Sequence, residues 1–509
     1  MTPQGRVCSC PSGQELVEVG GVECVVPEAF MMYANKKEIG KVSLKYPDRD
    51  DHILPIQDLS GVSALDFDMS DGGRIYWSEL RDRKKTPKSI SRGFLNGTNV
   101  EVIIEFGLES PSGIAIDWVA NNIYWCDSVL KRIQVSKSDG TSRRVILWDN
   151  LGNPARIAID PTDGNIYWST FDDLPIIGRA AMDGSRRESF ISGSGIGKPN
   201  GLAIDYDSRR LYWTDLKHQS ISYVSLDGSQ RKVQKIITTA SAEIYSITLY
   251  KESVFWADSN RNLVEKANKD NGRNRVIFQN KATQVVDMFV YHPSRQNATN
   301  LCAQDNGGCE KLCLYLGNNI ARCACPSHHF LSNNKNCIEP ESFLLFGQKN
   351  KISRLLLDET HPDEVPDLIL PVRGARDIRS LDYDPDNRLI YWIDHGSKKK
   401  TDGSPRVSIK RAFDNGTLHP EKRLHYSKDF HSLIPYDLKV DWNSRLLFWT
   451  CELTNSINVT RLDYLEDYNY EEEGEDDVRD EMTDGMIVGS IIRGGEDRPR
   501  SIAIHPLKR

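Results

Sequence analysis

The 509-residue chain has no run of about 20 apolar residues, so it offers no candidate membrane-spanning helix. Met1 is followed at once by polar residues and Cys8-Ser9-Cys10, so no basic-then-apolar leader is recognisable. Paired CxxC motifs are missing, which argues against a zinc ribbon. The 11 histidines form no HxH or HxxxH pair, and no nucleophile motif is present. A basic surplus is missing too. The net charge is −7, but Glu466 to Asp484 alone holds eleven Asp/Glu against one Arg, a net of −10. The remainder is close to neutral, at +3, which excludes a broad nucleic-acid face. Hydrophobic content of 39% with 27% charged residues is ordinary for a globular chain, and the length calls for more than one domain.

What the chain does have is a repeat. Ile75-Tyr76-Trp77-Ser78-Glu79 returns as Ile123–Asp127, Ile166–Thr170, Leu211–Asp215 and Val254–Asp258, with tryptophans 48, 43, 45 and 43 residues apart. A period in the low forties built of strand-like units predicts a β-propeller. Within one unit, Gly201–Asp205 reads as a buried strand, Leu211–Thr214 as an alternating second, Ser220–Leu226 as a third and Arg231–Ile236 as a fourth. Asp227-Gly228, repeated as Asn96-Gly97, Asp139-Gly140, Asp183-Gly184 and Asn271-Gly272, is expected to close two-residue hairpins. Each unit is then a four-stranded sheet, with its Tyr-Trp pair supplying area for stacking on its neighbours. A sixth blade is assembled from both ends. Val285–Val290 supplies the inner strand, and Phe30–Ala34, Glu38–Leu44 and His52–Ile56 supply the other three. Closure of this kind removes open edges.

Six cysteines between Cys302 and Cys337 imply a small disulfide module and an oxidising compartment; by counting alone they allow fifteen pairings. Cys8, Cys10 and Cys24 look like the last half of a similar module. Cys126 and Cys451 fall inside blade strands and read as buried thiols. Phe343 follows Cys337 as Phe30 follows Cys24, so propeller plus module recurs after 313 residues. Two further motif copies, Ile390–Asp394 and Leu447–Cys451, belong to this second unit, and a third stops at the expected innermost strand, Ser501–Pro506. The expected domains are half a module over 1–26, a six-bladed propeller over 27–297, a module over 298–339 and a truncated second propeller over 340–509, with an acidic insertion at 464–484. With no leader or span in sight, the chain is expected to be a fragment of something longer.

These motifs resemble the low-density-lipoprotein-receptor family, in which YWTD propellers are each followed by an EGF-like module. More narrowly they resemble the third and fourth propellers of its Arrow-type Wnt co-receptors. The strings that carry this are Ser63–Asp68, Glu105–Leu108, Arg179–Gly184 and Arg209–Leu216 in the first unit. In the second they are Phe343–Phe346, Trp449–Glu452, Ile457–Asp463 and Asp497–Arg500. The resemblance covers nearly the whole chain and implies an all-β fold. It also implies the pairings Cys302–Cys313, Cys309–Cys323 and Cys325–Cys337 and, by the same logic, Cys10–Cys24, leaving Cys8 without its partner. It implies a receptor on the extracellular side of the plasma membrane that binds Wnt proteins or Dickkopf-type antagonists beside a Frizzled-type receptor, with no cofactor and no metal. A cargo or lipoprotein receptor, a matrix protein and, remotely, a propeller hydrolase are the alternatives.

Two departures stand out. The acidic insertion replaces a short turn and reads as a solvated loop, in which Tyr468 and Tyr470 would suit sulfation. Relatives tend to carry an aromatic residue just after the motif; here those positions are Leu80, Ser128, Phe171, Leu216 and Ser259, and one is aromatic. Asp66, Asp117, Asp160 and Asp205 are read as ending successive inner strands and satisfying backbone donors between blades rather than as catalysts. The inner strands themselves, such as Ile114–Ile116, are apolar, which counts against a hydrolase. Phe171, Leu80, Leu216 and Tyr245, with Arg156, Lys198, Lys217 and Glu243 around them, are expected on one face of the ring as a protein-binding rim. Asn96, Asn297, Asn415 and Asn458 head N-glycosylation triplets.

Overall fold

A computed structural model describes residues 15–16, 24–25, 29–47, 52–80, 88–227, 232–239, 243–281, 283–357, 367–372, 375–399, 405–414, 422–423, 435–451, 454–462, 489–493 and 498–505. Cys8, Cys10, Asn415 and the acidic insertion lie outside this set, as does the side chain of Cys24 and hence the expected Cys10–Cys24 bond. The chain divides into two compact units, Met1–Pro340 and Glu341–Arg509.

In the first unit six antiparallel sheets of four strands follow one another. The first begins with Val62–Asp68 and Arg74–Glu79, the second with Pro111–Asp117 and Asn122–Asp127, and the third with Pro154–Asp160 and Asn165–Thr170. The fourth begins with Pro199–Asp205 and Arg210–Asp215, the fifth with Ile244–Tyr250 and Ser253–Asp258. The closing sheet joins the two ends of the unit: Asp287–Tyr291 pairs with Phe30–Ala34, Met288 opposite Tyr33 and Val290 opposite Met31. Ile39–Ser43 and His52–Ile53 complete it. The first strands of all six sheets touch in cyclic order, the closing sheet meeting both the fifth and the first. This is a ring of blades with no open inner edge.

The Tyr-Trp dipeptide explains the stacking. Neighbouring residues of a strand point to opposite faces, so one ring faces each adjoining sheet. Tyr76 accordingly shares an apolar cluster with Trp125 of the next sheet. Tyr124 meets Trp168 in the same way, Tyr167 meets Trp213 and Tyr212 meets Trp256. All five tryptophans are buried.

The Asx-Gly turns at Asn96, Asp139, Asp183 and Asn271 are longer than two-residue hairpins, and Gly228 of the expected Asp227-Gly228 turn lies outside the described residues. Gly140 N–H donates to Lys137 O at 2.9 Å and Lys137 N–H to Thr141 O at 2.9 Å, while the Asp139 carboxylate takes the Thr141 amide and hydroxyl at 2.9 and 2.7 Å. Gly140 has φ +84°, and a Cβ there would lie 2.1 Å from Ile103 O of the preceding sheet. Both the positive φ and the close approach demand glycine.

The cysteine module sits in the same compact unit. It contains the bonds Cys302–Cys313, Cys309–Cys323 and Cys325–Cys337. Leu312 and Leu314 join the core between the second and third sheets. Polar contacts add Asn122 Nδ2 to Cys313 O at 2.9 Å, Lys137 Nζ to Asn306 Oδ1 at 2.6 Å and Arg322 to Asp183 at 2.6 Å.

The second unit contains a three-stranded sheet, Phe343–Gln348, Lys351–Leu356 and Asp367–Ile369. Two four-stranded sheets follow, opening with Ile378–Asp384 and Pro435–Asp441. Here Tyr391 shares a cluster with Trp449. The expected innermost strand at Ser501–Pro506 does not form among the described residues 501–505. A strand is defined by a ladder, and here side-chain ties hold the stretch instead, Ile502 N–H to Asp437 Oδ2 at 2.9 Å and Thr450 Oγ1 to Arg500 O at 3.3 Å.

Candidate functional site: one face of the ring

In each four-stranded sheet the link from second to third strand and the link to the next sheet emerge on one side. The other two turns emerge on the opposite side. Asn122, Lys137 and Asp183, which hold the module, belong to that opposite side. The first side is therefore the face the module leaves uncovered.

The last residue of the motif builds this face. Asp215 is buried, and its carboxylate accepts the amides of Gly197 at 2.6 Å, Lys198 at 3.0 Å and His218 at 2.9 Å. It ties its own turn to the preceding link. Asp127 does the same with Glu109, Ser110, Val129 and Leu130 at 2.7–3.1 Å. In the first sheet Glu79 substitutes, accepting Ser60 N–H and Trp77 Nε1 at 2.9 Å. In the third sheet the position is Thr170, and Asp172 in the following loop takes over, receiving Asn153 N–H and Nδ2.

The residue after the motif is fixed by a further backbone bond. Leu80 donates to Gly61 O, Ser128 to Ser110 O, Phe171 to Asn153 O, Leu216 to Lys198 O and Ser259 to Glu243 O, all at 2.8–3.1 Å. Phe171 is 39% exposed, and Lys198 Nζ stands 5.2 Å from its ring centroid. Lys198, Lys217 and Glu243 are exposed, while Leu80, Leu216 and Tyr245 are half-buried. Burial raises the Tyr245 phenol, and the neighbouring Glu243 adds to the shift. Arg156 lies elsewhere than on the rim. Its guanidinium reaches across the ring's axis to Ser63 O at 3.0 Å, Val286 O at 3.2 Å and Ser112 O, bridging three other blades. Sequence reasoning missed Val129 and Leu174, 64% and 86% exposed on the same face. Both occupy the turn just after the motif, and that offset is the signal that could have found them.

The axis encloses a cavity of about 100 Å³ whose lining includes Ile114, Ile157, Asp66, Asp287, Arg156 and Arg295. It is more polar than the second and third inner strands suggest. Asp66 does not end its strand; Asp68 does. Asp66 Oδ2 accepts Ile116 N–H of the next sheet at 2.8 Å, and Asp287 Oδ2 accepts Leu65 N–H at 2.9 Å. Both carboxylates link blades, as expected for Asp66; Asp287 was not among the residues expected to do so. Asp117 instead caps its own turn through Val119 and Ala120 at 3.1 and 3.2 Å. Asp160 and Asp205 cap theirs and also pair with Arg209 and Lys269 of the following sheet at 2.7 Å each. Burial pushes the Asp66 and Asp117 carboxyls up to about 7 and about 6. Among the described residues no histidine lines the cavity, and among them no group of three or more His, Cys, Asp or Glu is placed to hold a metal. Cys126 is a buried thiol pushed up to about 11 by burial; Cys451 is also buried. No helix of the described residues is long and apolar enough to cross a membrane.

Asn96 and Asn297 are exposed. Asn458 is 2% exposed, and its amide group bonds Ser456 and Ser490 at 3.1 and 2.8 Å. A folded strand with that side chain inside leaves no room for a glycan, so the fold argues against Asn458 as an acceptor.

Repeating sheets, two-sided Tyr-Trp stacking and a following disulfide module define a YWTD-type propeller chain. The family description "Low-density lipoprotein receptor repeat class B" matches residues 73–118 and 121–161. Low-density lipoprotein receptor-related protein 5 of Homo sapiens is 40% identical over 506 residues, 99% of this chain and 28% of that protein. The Mus musculus protein of the same name is 39% identical over 510 residues, with the same coverage. Among solved structures, a chain of the nidogen/laminin complex is 28% identical at a TM-score of 0.46, covering 52% of this chain and 98% of that one. The chain belongs to the low-density-lipoprotein-receptor-related family and spans 28% of the length of those receptor-related relatives.

Proposed function

We propose that this chain is part of the extracellular portion of a cell-surface co-receptor, and that the uncovered face of its first ring binds secreted Wnt proteins or Dickkopf-type antagonists beside a Frizzled-type receptor. The observation that carries the reading is the 40% identity to receptor-related protein 5 across 99% of the chain. The face supports it physically. A rim with an aromatic anchor, half-buried aliphatic side chains and mixed charges suits a protein partner better than a small molecule. The cavity on the axis is small, and its carboxylates are occupied by backbone amides of neighbouring blades, so the reading is of binding and not of catalysis. Immobilising the 509-residue chain and titrating purified Wnt and Dickkopf-type proteins tests it. Saturable binding of at least one is expected; binding of none would remove the proposal.

A further inference from the structure

We propose that the second unit of this chain is half of a ring, and that a second copy of the chain supplies the other half. The inference lies apart from the ligand face and does not rest on it. Among the described residues the second unit has three sheets where the first ring has six. They touch in order, as neighbouring blades do. Three of six equal steps make half a turn, so two such arcs close about a twofold axis.

The two ends of the arc carry the parts of one unfinished blade. At one end Phe343–Gln348 is the edge strand of a three-stranded sheet. In the first ring the matching strand, Phe30–Ala34, takes Asp287–Tyr291 on that edge. At the other end residues 501–505 stand in an inner-strand place with no sheet of their own among the described residues. The tie that puts them there repeats one in the first ring. Asp287 accepts Ser246 Oγ, Met288 N–H and, from the next blade, Leu65 N–H at 2.8, 3.0 and 2.9 Å. Asp437 accepts Ser380 Oγ, Leu438 N–H and Ile502 N–H at 2.5, 3.0 and 2.9 Å.

The faces match as well. The fifth sheet of the first ring meets the closing sheet through Phe255 and Phe278 against Met31 and Tyr33. Aligned by register, their counterparts are Phe448 and Ile491 at one end of the arc and Leu344 and Phe346 at the other. Met31 and Phe278 are 0% and 3% exposed, whereas Leu344 and Ile491 are 48% and 56% exposed. Phe346 and Phe448 are half-buried. Each end therefore bares one of the two faces that mate in a complete ring. An occupant of both must offer the complement of each and an inner strand besides, and the same arc offers all three.

The test uses the whole chain. Light scattering is expected to give twice the mass of one chain, falling to one on dilution. Leu344→Asp and Phe448→Lys should each weaken the dimer about tenfold or more without moving the melting of the first unit. An equimolar mixture of the two should recover it, since a mixed pair keeps one native contact and gains one Asp–Lys contact. Hydrogen exchange needs no variant: the amides of Phe343–Gln348 and of residues 501–505 should be protected in the dimer and lose that protection on dilution. A monomer at every concentration, assemblies larger than two, a dimer without that protection, a dimer that neither substitution weakens, or variants that stay apart when mixed would each overturn the proposal.

Discussion

At the residue scale, the motif is a set of anchors. Asp215 is buried and accepts three amides, so removing it strands buried donors at roughly 1–3 kcal/mol each. Asp215→Ala should therefore destabilise the first unit by about 3 kcal/mol in urea titrations, while Asp173→Ala, exposed at the surface, should leave the midpoint unchanged. Asp66 makes a pH-dependent contribution. Its carboxyl is raised to about 7, chiefly by burial, above an unfolded value near 3.9. The folded state thus holds the proton more tightly. The associated stability is complete below about pH 4 and is lost as pH rises through about 7. Asp66→Asn keeps an acceptor for Ile116 N–H and should melt higher than the parent at pH 8, by roughly 2 kcal/mol because the partly exposed channel side screens the charge. The difference should vanish near pH 4; a constant offset would refute the assignment. The Tyr-Trp pair and the buried Cys126 were legible in the sequence. The blade-linking role of Asp66 was legible too, but not its place in the strand, since Asp66 and Asp68 alternate and it is Asp68 that ends it.

At the element scale, the Asx-Gly-Ser/Thr turns were visible as turns but not as the type they adopt. Their glycine sits against the backbone of the preceding sheet, a contact that local pattern does not encode. Gly140→Ala should destabilise by roughly 2–3 kcal/mol, since it meets both a positive φ and Ile103 O at 2.1 Å. Gly195→Ala is the control, with its nearest neighbour at 3.5 Å, and should change thermal unfolding by less than about 0.5 kcal/mol. The same geometry accounts for the Asn96 triplet. Asn96 Oδ1 takes the Thr98 amide and hydroxyl at 3.0 and 2.7 Å, as Asp139 does for Thr141, so the threonine serves the turn whether or not a glycan is attached.

At the scale of the whole molecule, the repeat period, the split closing sheet and the cysteine spacing made the ring and its module readable in advance. Which side the module covers was not readable, because that depends on Leu312 and Leu314 entering the core between two sheets, a contact between segments nearly two hundred residues apart in sequence. Arg156 shows the same limit. Its position in sequence puts it at the start of an inner strand, yet it reaches carbonyls on three other blades. The central claim is that the face opposite the module binds protein ligands, and two residues of matched exposure test it. Phe171 is 39% exposed on that face and Leu331 is 40% exposed on the module. Affinity for a Wnt or Dickkopf-type protein that binds the intact chain should fall by roughly 1–3 kcal/mol in Phe171→Ala and stay unchanged in Leu331→Ala, with equal melting temperatures. Unchanged affinity in Phe171→Ala, or a loss confined to Leu331→Ala, would contradict the account.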